Sequence, residues 1–453
     1  MREERFTVLG IGKRGKSGLA AALALASLGK EILVSESSPR SAYLEEAALL
    51  EQAGVRLEFG GHSEQVFQAD VIVVCPGIKP QAPPLDEARR RGVPIWSEIE
   101  LAYRLSPAPI VAITGTNGKT TTTALTASVL AQGDRRVWVG GNIGTPLVSV
   151  VRQAKPNDWV VAEIGAPQLE HIHHFAPKVA VLLNFSEDHL DRYPDMATYQ
   201  RVKSRLVECQ TVADWVVRNQ ADEWSRKEPS WARSFPFGDE QLPDGTWMAG
   251  GRIWVAREGQ AVPVASREEI PLPGLANLEN TLAAVSVGAL LGLRPEQIAR
   301  GLACFPGVEH RLEEVAVVDG VAYINDSSGT NPLSTIRAIE ALERPLILIA
   351  GGSEKGADFH PLAATVSRKA KLVVLFGKTR ERIAAACLDL GFQGFQLEEG
   401  GLGQALQRAR QAAVPGDVVL FSPACASFDM FQDFEHRGET FKELIREMEQ
   451  GHP

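Results

Sequence analysis

Residues 111–123, "VAITGTNGKTTTT", place two glycines, a lysine and a run of threonines between an apolar run and a helical pattern. Gly115 and Gly118 let backbone N–H groups approach phosphate oxygens. Lys119 adds a positive charge, Thr120 a hydroxyl within reach of a magnesium ion, and Thr121 belongs to the same helix start. The loop is shorter than the common G-x-x-x-x-G-K-[ST] pattern, because Ile113 stands where its first glycine belongs. The natural ligand is still a nucleoside triphosphate. Its metal needs carboxylates opposite, and the apolar run "DWVVAEIG" ends in Glu163. The next run ends in "NFSEDHLDRY", offering Glu187, Asp188, His189 and Asp191.

Two further groups flank this centre. Near the N-terminus "GIGKRG" (Gly10, Gly12, Gly15) follows a strand pattern and opens a helix, and Glu36 ends the next strand about 20 residues on. That spacing fits a dinucleotide-binding oxidoreductase. Lys13 and Arg14 within the loop favour an anionic ligand without naming it. The oxidoreductase reading leaves the separate triphosphate loop unexplained. Towards the C-terminus four strand patterns end in "NDSSGTN", "GGSEKGADF", "GKTRE" and "SPACASFDMF". Ligands of open parallel sheets bind outside the carboxyl ends of the strands, so these turns are expected to converge. Asp326, Thr330, Asn331, Lys355 and Ser427 are their notable members, and a cation among hydroxyls suits a small carboxylate.

The elements that must position these residues alternate short β-branched runs with helical patterns, the signature of α/β modules with parallel sheets. Proline-punctuated "RLSPAPIV" and the stretch "PGVEHRLEEV" mark boundaries. They give three domains: 1–107 and 309–453, both Rossmann-like, and 108–308, like a phosphate-loop ATPase. Residues 212–270 break the rhythm and read as a small antiparallel excursion. A chain of 453 residues accommodates about three domains. Its net charge of -9 argues against a nucleic-acid surface. No apolar stretch approaches the roughly 20 residues needed to span a bilayer. The N-terminus lacks a signal-peptide core, and five scattered cysteines form no C-x-x-C pair. These features read as a cytoplasmic enzyme, and nothing demands more than a monomer.

"TGTNGKTT", "GNIG", "NFSEDHLDRYPDMATYQRVK", "EHRLE", "GGSEKGADF" and "SPACASFDMFQDFEHRGETF" together resemble the Mur ligase family over nearly the full chain, and within it the branch that adds D-glutamate. The resemblance implies an ATP-dependent ligase that activates the carboxylate of UDP-N-acetylmuramoyl-L-alanine as an acyl phosphate. The amine of D-glutamate then attacks to form an amide, in peptidoglycan precursor synthesis. It assigns Gly115, Thr116, Asn117, Gly118, Lys119, Thr120, Thr121, Asn280, Arg311 and Asp326 to ATP, with His310 beside them. Two Mg²⁺ sites are implied, with Thr120, Glu163, His189 and Lys203 around them, Lys203 as a carbamate. Lys119, Glu163, His189 and Lys203 carry the catalysis. Lys13, Arg14, Glu36, Ser37, Gly77, Asn142, Gln168 and His189 face the UDP-linked substrate, and Thr330, Lys355, Ser427 and Phe434 face D-glutamate.

Three motifs depart from the family pattern. E-x-S-S-F-Q-L reads "EIGAPQL", with Gly165 and Ala166 in place of two serines. D-S-K-A-T-N reads "DSSGTN", with Ser328 in place of a lysine, and Ala276 stands where histidine is usual. A related ligase with another acceptor, of the folylpolyglutamate type, and a catalytically weakened nucleotide-binding homologue are the alternatives. The "GGSEKGADF" and "SPACASFD" turns count against the first.

Overall fold

The structure is a computed structural model and describes residues 3–12, 17–142, 144–188, 192–270, 274–353 and 356–450, with the side chains of 275 and 276 outside the description. Three α/β sheets follow one another along the chain. The first has the order β3-β2-β1-β4-β5, built from β1 (Arg5–Leu9), β2 (Glu31–Glu36), β3 (Arg56–Phe59), β4 (Val71–Val74) and β5 (Ile95–Ser97). All its pairings are parallel. The strand order reverses between β1 and β4, which opens a crevice at their carboxyl ends.

The second sheet contains β6 (Ile110–Thr114), β7 (Val137–Gly141), β8 (Trp159–Glu163), β9 (Val179–Leu182), β10 (Trp215–Asn219), β11 (Arg233–Gly238), β12 (Gly245–Ala249), β13 (Arg252–Arg257) and β14 (Gln260–Ser266). Their order is β14-β13-β12-β11-β10-β9-β6-β8-β7. β6 is flanked by β8 and β9, so the loop after it emerges between the two strand ends that carry the acidic residues. Residues 212–270 are not a separate antiparallel piece. β10 and β11 continue the parallel ladder from β9, and only β12–β13–β14 pair antiparallel. "WVVRN" and "RSFPFG" are too short to reveal their partners; burial against the sheet decides the pairing.

One buried cluster spans these two sheets, from Phe6, Val8 and Trp96 through Ile99 and Leu101 to Ala112, Val148 and Val160. It explains why residues 1–271 and 279–305 form one compact unit. Residues 272–278 and 306–453 form the other. Its sheet runs β15-β16-β20-β17-β18-β19, from β15 (Glu313–Val318), β16 (Val321–Asn325), β17 (Leu346–Gly351), β18 (Ala370–Phe376), β19 (Phe395–Leu397) and β20 (Val418–Phe421). Alternate residues feed opposite faces: Ala322, Ile324, Leu346 and Leu348 on one, Val321, Tyr323, Ile347 and Ile349 on the other. Burial of both faces is what near-continuous apolar strands predict. No helix among the described residues is long and apolar enough to cross a membrane.

Candidate active site

β6 delivers the chain into the loop Gly115–Gly118, and the helix Lys119–Leu130 follows at once. Gly118 is left-handed at φ +85°, and a Cβ there would lie 2.3 Å from Asn280 Oδ1. Backbone conformation and space both demand glycine. Asn280, expected near the adenine, packs beneath the loop and accepts from Thr122 Oγ1 at 3.1 Å. The loop is fastened from β9's end by a residue that sequence reasoning did not single out. Asn184 Oδ1 accepts from Asn117 N at 2.9 Å, and its Nδ2 donates to Asn117 O at 3.0 Å. Its carbonyl also accepts from Thr116 N at 2.9 Å. Its only signal was its place immediately ahead of the acidic cluster.

Lys119 Nζ donates to Gly115 O at 3.0 Å and Thr116 O at 2.9 Å. Lys203 reaches the same spot from the helix Met196–Ser204, its Nζ donating to Gly115 O at 2.7 Å. Lys203 is 1% exposed. Burial drives its pKa far below the usual lysine value, and the neighbouring Lys119 charge pushes the same way; Asp188 and Glu163 oppose both. Such a buried amine beside a phosphate loop gives up its proton more readily than a surface lysine. Glu163, 3% exposed at the end of β8, accepts from Asn142 Nδ2 at 3.0 Å through Oε1.

These donors fit a hard divalent cation: a buried carboxylate, the Thr120 hydroxyl on the first helical turn, and nearby oxygens awaiting partners. Thr121 Oγ1 and Ser186 Oγ are buried with no hydrogen-bond partner among the described residues. Gln168 Oε1 accepts from Gly165 N at 2.9 Å. A Cβ at Gly165 would lie 2.6 Å from Asn142 Oδ1, so Asn142 occupies the room that a serine would need. Ala166 is buried with Tyr193 and Tyr199.

At the carboxyl edge of the first sheet a cavity of about 860 Å³ is lined by Gly10, Glu36, Ser37, His62, Phe67 and Lys79, among others. Glu36 is already engaged, accepting from Ile11 N at 3.1 Å and Ser38 N at 3.0 Å. Burial alone would raise its pKa, but those N–H groups and the Ser38 and Ser37 hydroxyls hold it below the usual carboxylate value. Glu36 therefore shapes the glycine turn as well as facing the cavity. Gly77 lies exposed in the turn after β4, with open space around it. Arg192 joins this rim to the second sheet: it donates to Ile78 O at 2.7 Å and grips Glu170 at 2.7 and 2.6 Å.

In the second unit the turns after β16, β20 and β17 stand side by side. Asp326 Oδ2 accepts from Ser422 Oγ at 2.6 Å and Oδ1 from Leu312 N at 3.2 Å. Burial lifts its pKa to about 6, against the opposing effects of Ser422 and Arg311. Arg437, fully buried, ties two of the turns together. It donates to Ser327 Oγ at 3.0 Å, Ser327 O at 2.8 Å and Cys425 O at 3.0 Å. Ser327 Oγ in turn donates to Phe434 O at 2.8 Å. Arg437 lies within "SPACASFDMFQDFEHRGETF", but nothing in the local pattern of that motif assigns it a role.

Ser427 is buried, its carbonyl accepting from Phe431 N at 2.9 Å; Thr330 is half-buried, its N–H donating to Ser328 O at 2.9 Å. Ser328 Oγ and Arg311 Nε are buried without partners among the described residues. His310, at φ +62°, meets Asn325 Nδ2 at 3.0 Å through Nδ1. Lys13, Arg14, His189, Lys355 and the Ala276 side chain lie outside the described residues.

A phosphate loop with a buried lysine and carboxylate, followed by a separate sheet with polar turns, defines a nucleotide-dependent enzyme of three α/β modules. Family models agree. Residues 4–97 match "Mur ligase MurD-like, N-terminal domain", 113–288 "Mur ligase middle domain" and 310–425 "Mur ligase, glutamate ligase domain". The chain belongs to the Mur ligase family.

It is 42% identical over 451 residues to the UDP-N-acetylmuramoylalanine--D-glutamate ligase of Pelotomaculum thermopropionicum, covering 99% of each chain. It is 39% identical over 453 residues to the ligase of that name from Caldanaerobacter subterraneus subsp. tengcongensis, again with 99% of each covered. Among solved structures it shares its fold with the UDP-N-acetylmuramate-alanine ligase MurC of Thermotoga maritima. That match has a TM-score of 0.61 at 21% identity, covering 99% of this chain and 100% of that one.

Proposed function

We propose that this protein joins D-glutamate to UDP-N-acetylmuramoyl-L-alanine at the expense of ATP, through an acyl phosphate. The observation that carries the reading is the meeting of Lys203 and Lys119 on the carbonyl of Gly115, beside Glu163. Such a site moves a phosphoryl group by positioning and charge neutralisation, with little covalent work for the protein. The names of the relatives in Pelotomaculum and Caldanaerobacter support D-glutamate as the acceptor.

In this reading the domains 1–107, 108–308 and 309–453 serve the UDP end, ATP and the amino acid. The N–H groups of the 115–118 loop and Lys119 hold the β- and γ-phosphates. Asn280, Arg311 and Asp326 complete the nucleotide site. Thr120, Glu163, His189 and carbamylated Lys203 would hold two Mg²⁺ ions, which would supply positive charge near the transferring phosphoryl group. Lys13, Arg14, Glu36, Ser37, Gly77, Asn142 and Gln168 orient the UDP-linked substrate, and Thr330, Lys355, Ser427 and Phe434 the D-glutamate. The enzyme acts as a cytoplasmic monomer. The deciding assay is phosphate release with purified protein. It is expected only when ATP, UDP-N-acetylmuramoyl-L-alanine and D-glutamate are all present. ATP binding without release under any acceptor would sink the proposal.

A further inference from the structure

His62 stands in the wall of the first-sheet cavity and was not among the residues expected there. Behind it lies a short polar relay. Ser35 on β2 and Glu58 on β3 face each other in register, and Ser35 Oγ donates to Glu58 Oε1 at 2.8 Å. The same hydroxyl lies 2.7 Å from His62 Nδ1 and 3.3 Å from Gly61 O. Glu58 is fixed in turn by Ser63 N at 2.7 Å and by the Ser63 hydroxyl.

Ser35 has one proton to give. A carboxylate and a carbonyl can only accept, so that proton goes to Glu58 or Gly61, and the short contact to His62 requires Nδ1–H as donor. The tautomer assigned by this network leaves Nε2 of the neutral ring as a bare acceptor. Nε2 makes no hydrogen bond with any described residue. Because Ser35 is fully buried behind Nδ1, Nε2 lies on the ring edge away from the relay.

Resting on the reading of this cavity as the site of the UDP end, we propose that His62 is a specificity-determining residue whose Nε2 accepts a hydrogen bond from an N–H or O–H of the uridine. The chemistry is selective. Uracil presents N3–H, a donor, where cytosine presents a lone pair that would face another lone pair. A polar site built for a donor rejects a ligand lacking it, because the buried acceptor is then left unmatched.

The test is calorimetric binding of UDP, CDP and 2′-deoxy-UDP to the full chain, to His62→Leu and to His62→Gln. Wild type should bind UDP roughly 3–10-fold more tightly than CDP, the worth of one neutral hydrogen bond. His62→Leu should lose that preference, and His62→Gln, which offers an acceptor at similar reach, should keep part of it. A preference over 2′-deoxy-UDP that disappears with His62 would support the proposal with a ribose hydroxyl as the donor. Unchanged preferences in His62→Leu would overturn the assignment alone, whereas no UDP binding by wild type would overturn the nucleotide reading of the cavity as well. ¹⁵N-histidine spectra of the unmutated protein check the tautomer without any substitution. A neutral His62 ring carrying its proton on Nε2 would overturn the proposal.

Discussion

Replacing Asp326 by Asn removes a titration that burial has moved strongly within the polar turns of the third sheet. Burial raises Asp326 from 3.8 to about 6. The folded chain therefore holds a proton between those values that the unfolded chain has released. Stability from this group is complete below pH 3.8, falls as pH rises through that window, and is lost above about 6. At about 1.4 kcal/mol per unit the whole loss is about 3 kcal/mol, of which about 2 falls between pH 4.5 and 7.5.

Asn cannot titrate, yet it can keep the contacts. Its Oδ1 accepts from Leu312 N as Asp326 does at 3.2 Å. Its Nδ2 can donate to Ser422 Oγ, which turns its own proton to Thr335 Oγ1, 2.8 Å away. Thermal midpoints of Asp326→Asn relative to wild type should thus rise on going from pH 4.5 to pH 7.5. The change is about 4–8 °C for a domain of this size. A constant difference across that range would show that Asp326 is ionised throughout in the folded protein, and the burial argument would fail.

Lys203→Ala should abolish phosphate release while leaving the fold intact, and added short carboxylates should restore part of it; no restoration counts against the carbamate. Gly118→Ala forces a side chain into a left-handed position and against Asn280 Oδ1 at 2.3 Å, so it should cost at least about 1–2 kcal/mol. It should also lose ATP binding measured by calorimetry, and wild-type affinity would contradict the loop geometry. Arg437→Lys keeps the charge but gives up the guanidinium fork, and about 2–4 kcal/mol of stability should go with it. KM for D-glutamate should rise as well, and an unchanged KM would confine Arg437 to a structural role.

Much of this was legible in the chain itself. "TGTNGKTT" had to be a strand, a tight turn and a helix start, because only glycine tolerates the Gly118 backbone and only a helix start offers several unpaired N–H groups at once. The β-branched runs of the third segment, "VAYIN", "LILIAG" and "VVLF", had to be strands for the same local reasons. Composition and motif together reached the family. The edge strands β3, β15 and β19 were missed, because strands left partly exposed at a sheet edge carry weak periodicity.

What the tertiary structure decided is where polar atoms find partners. Lys203 sits 88 residues after Gly115 and Asn184 sits 67 after Asn117. Arg437 reaches back 110 residues to Ser327. His62 gains its meaning only from Ser35 and Glu58 on neighbouring strands. A local pattern fixes backbone conformation, since φ, ψ and periodicity involve near neighbours. The charge state of a lysine, the tautomer of a histidine or the pKa of an aspartate depends on burial and hydrogen bonds, and those exist only once distant segments have packed.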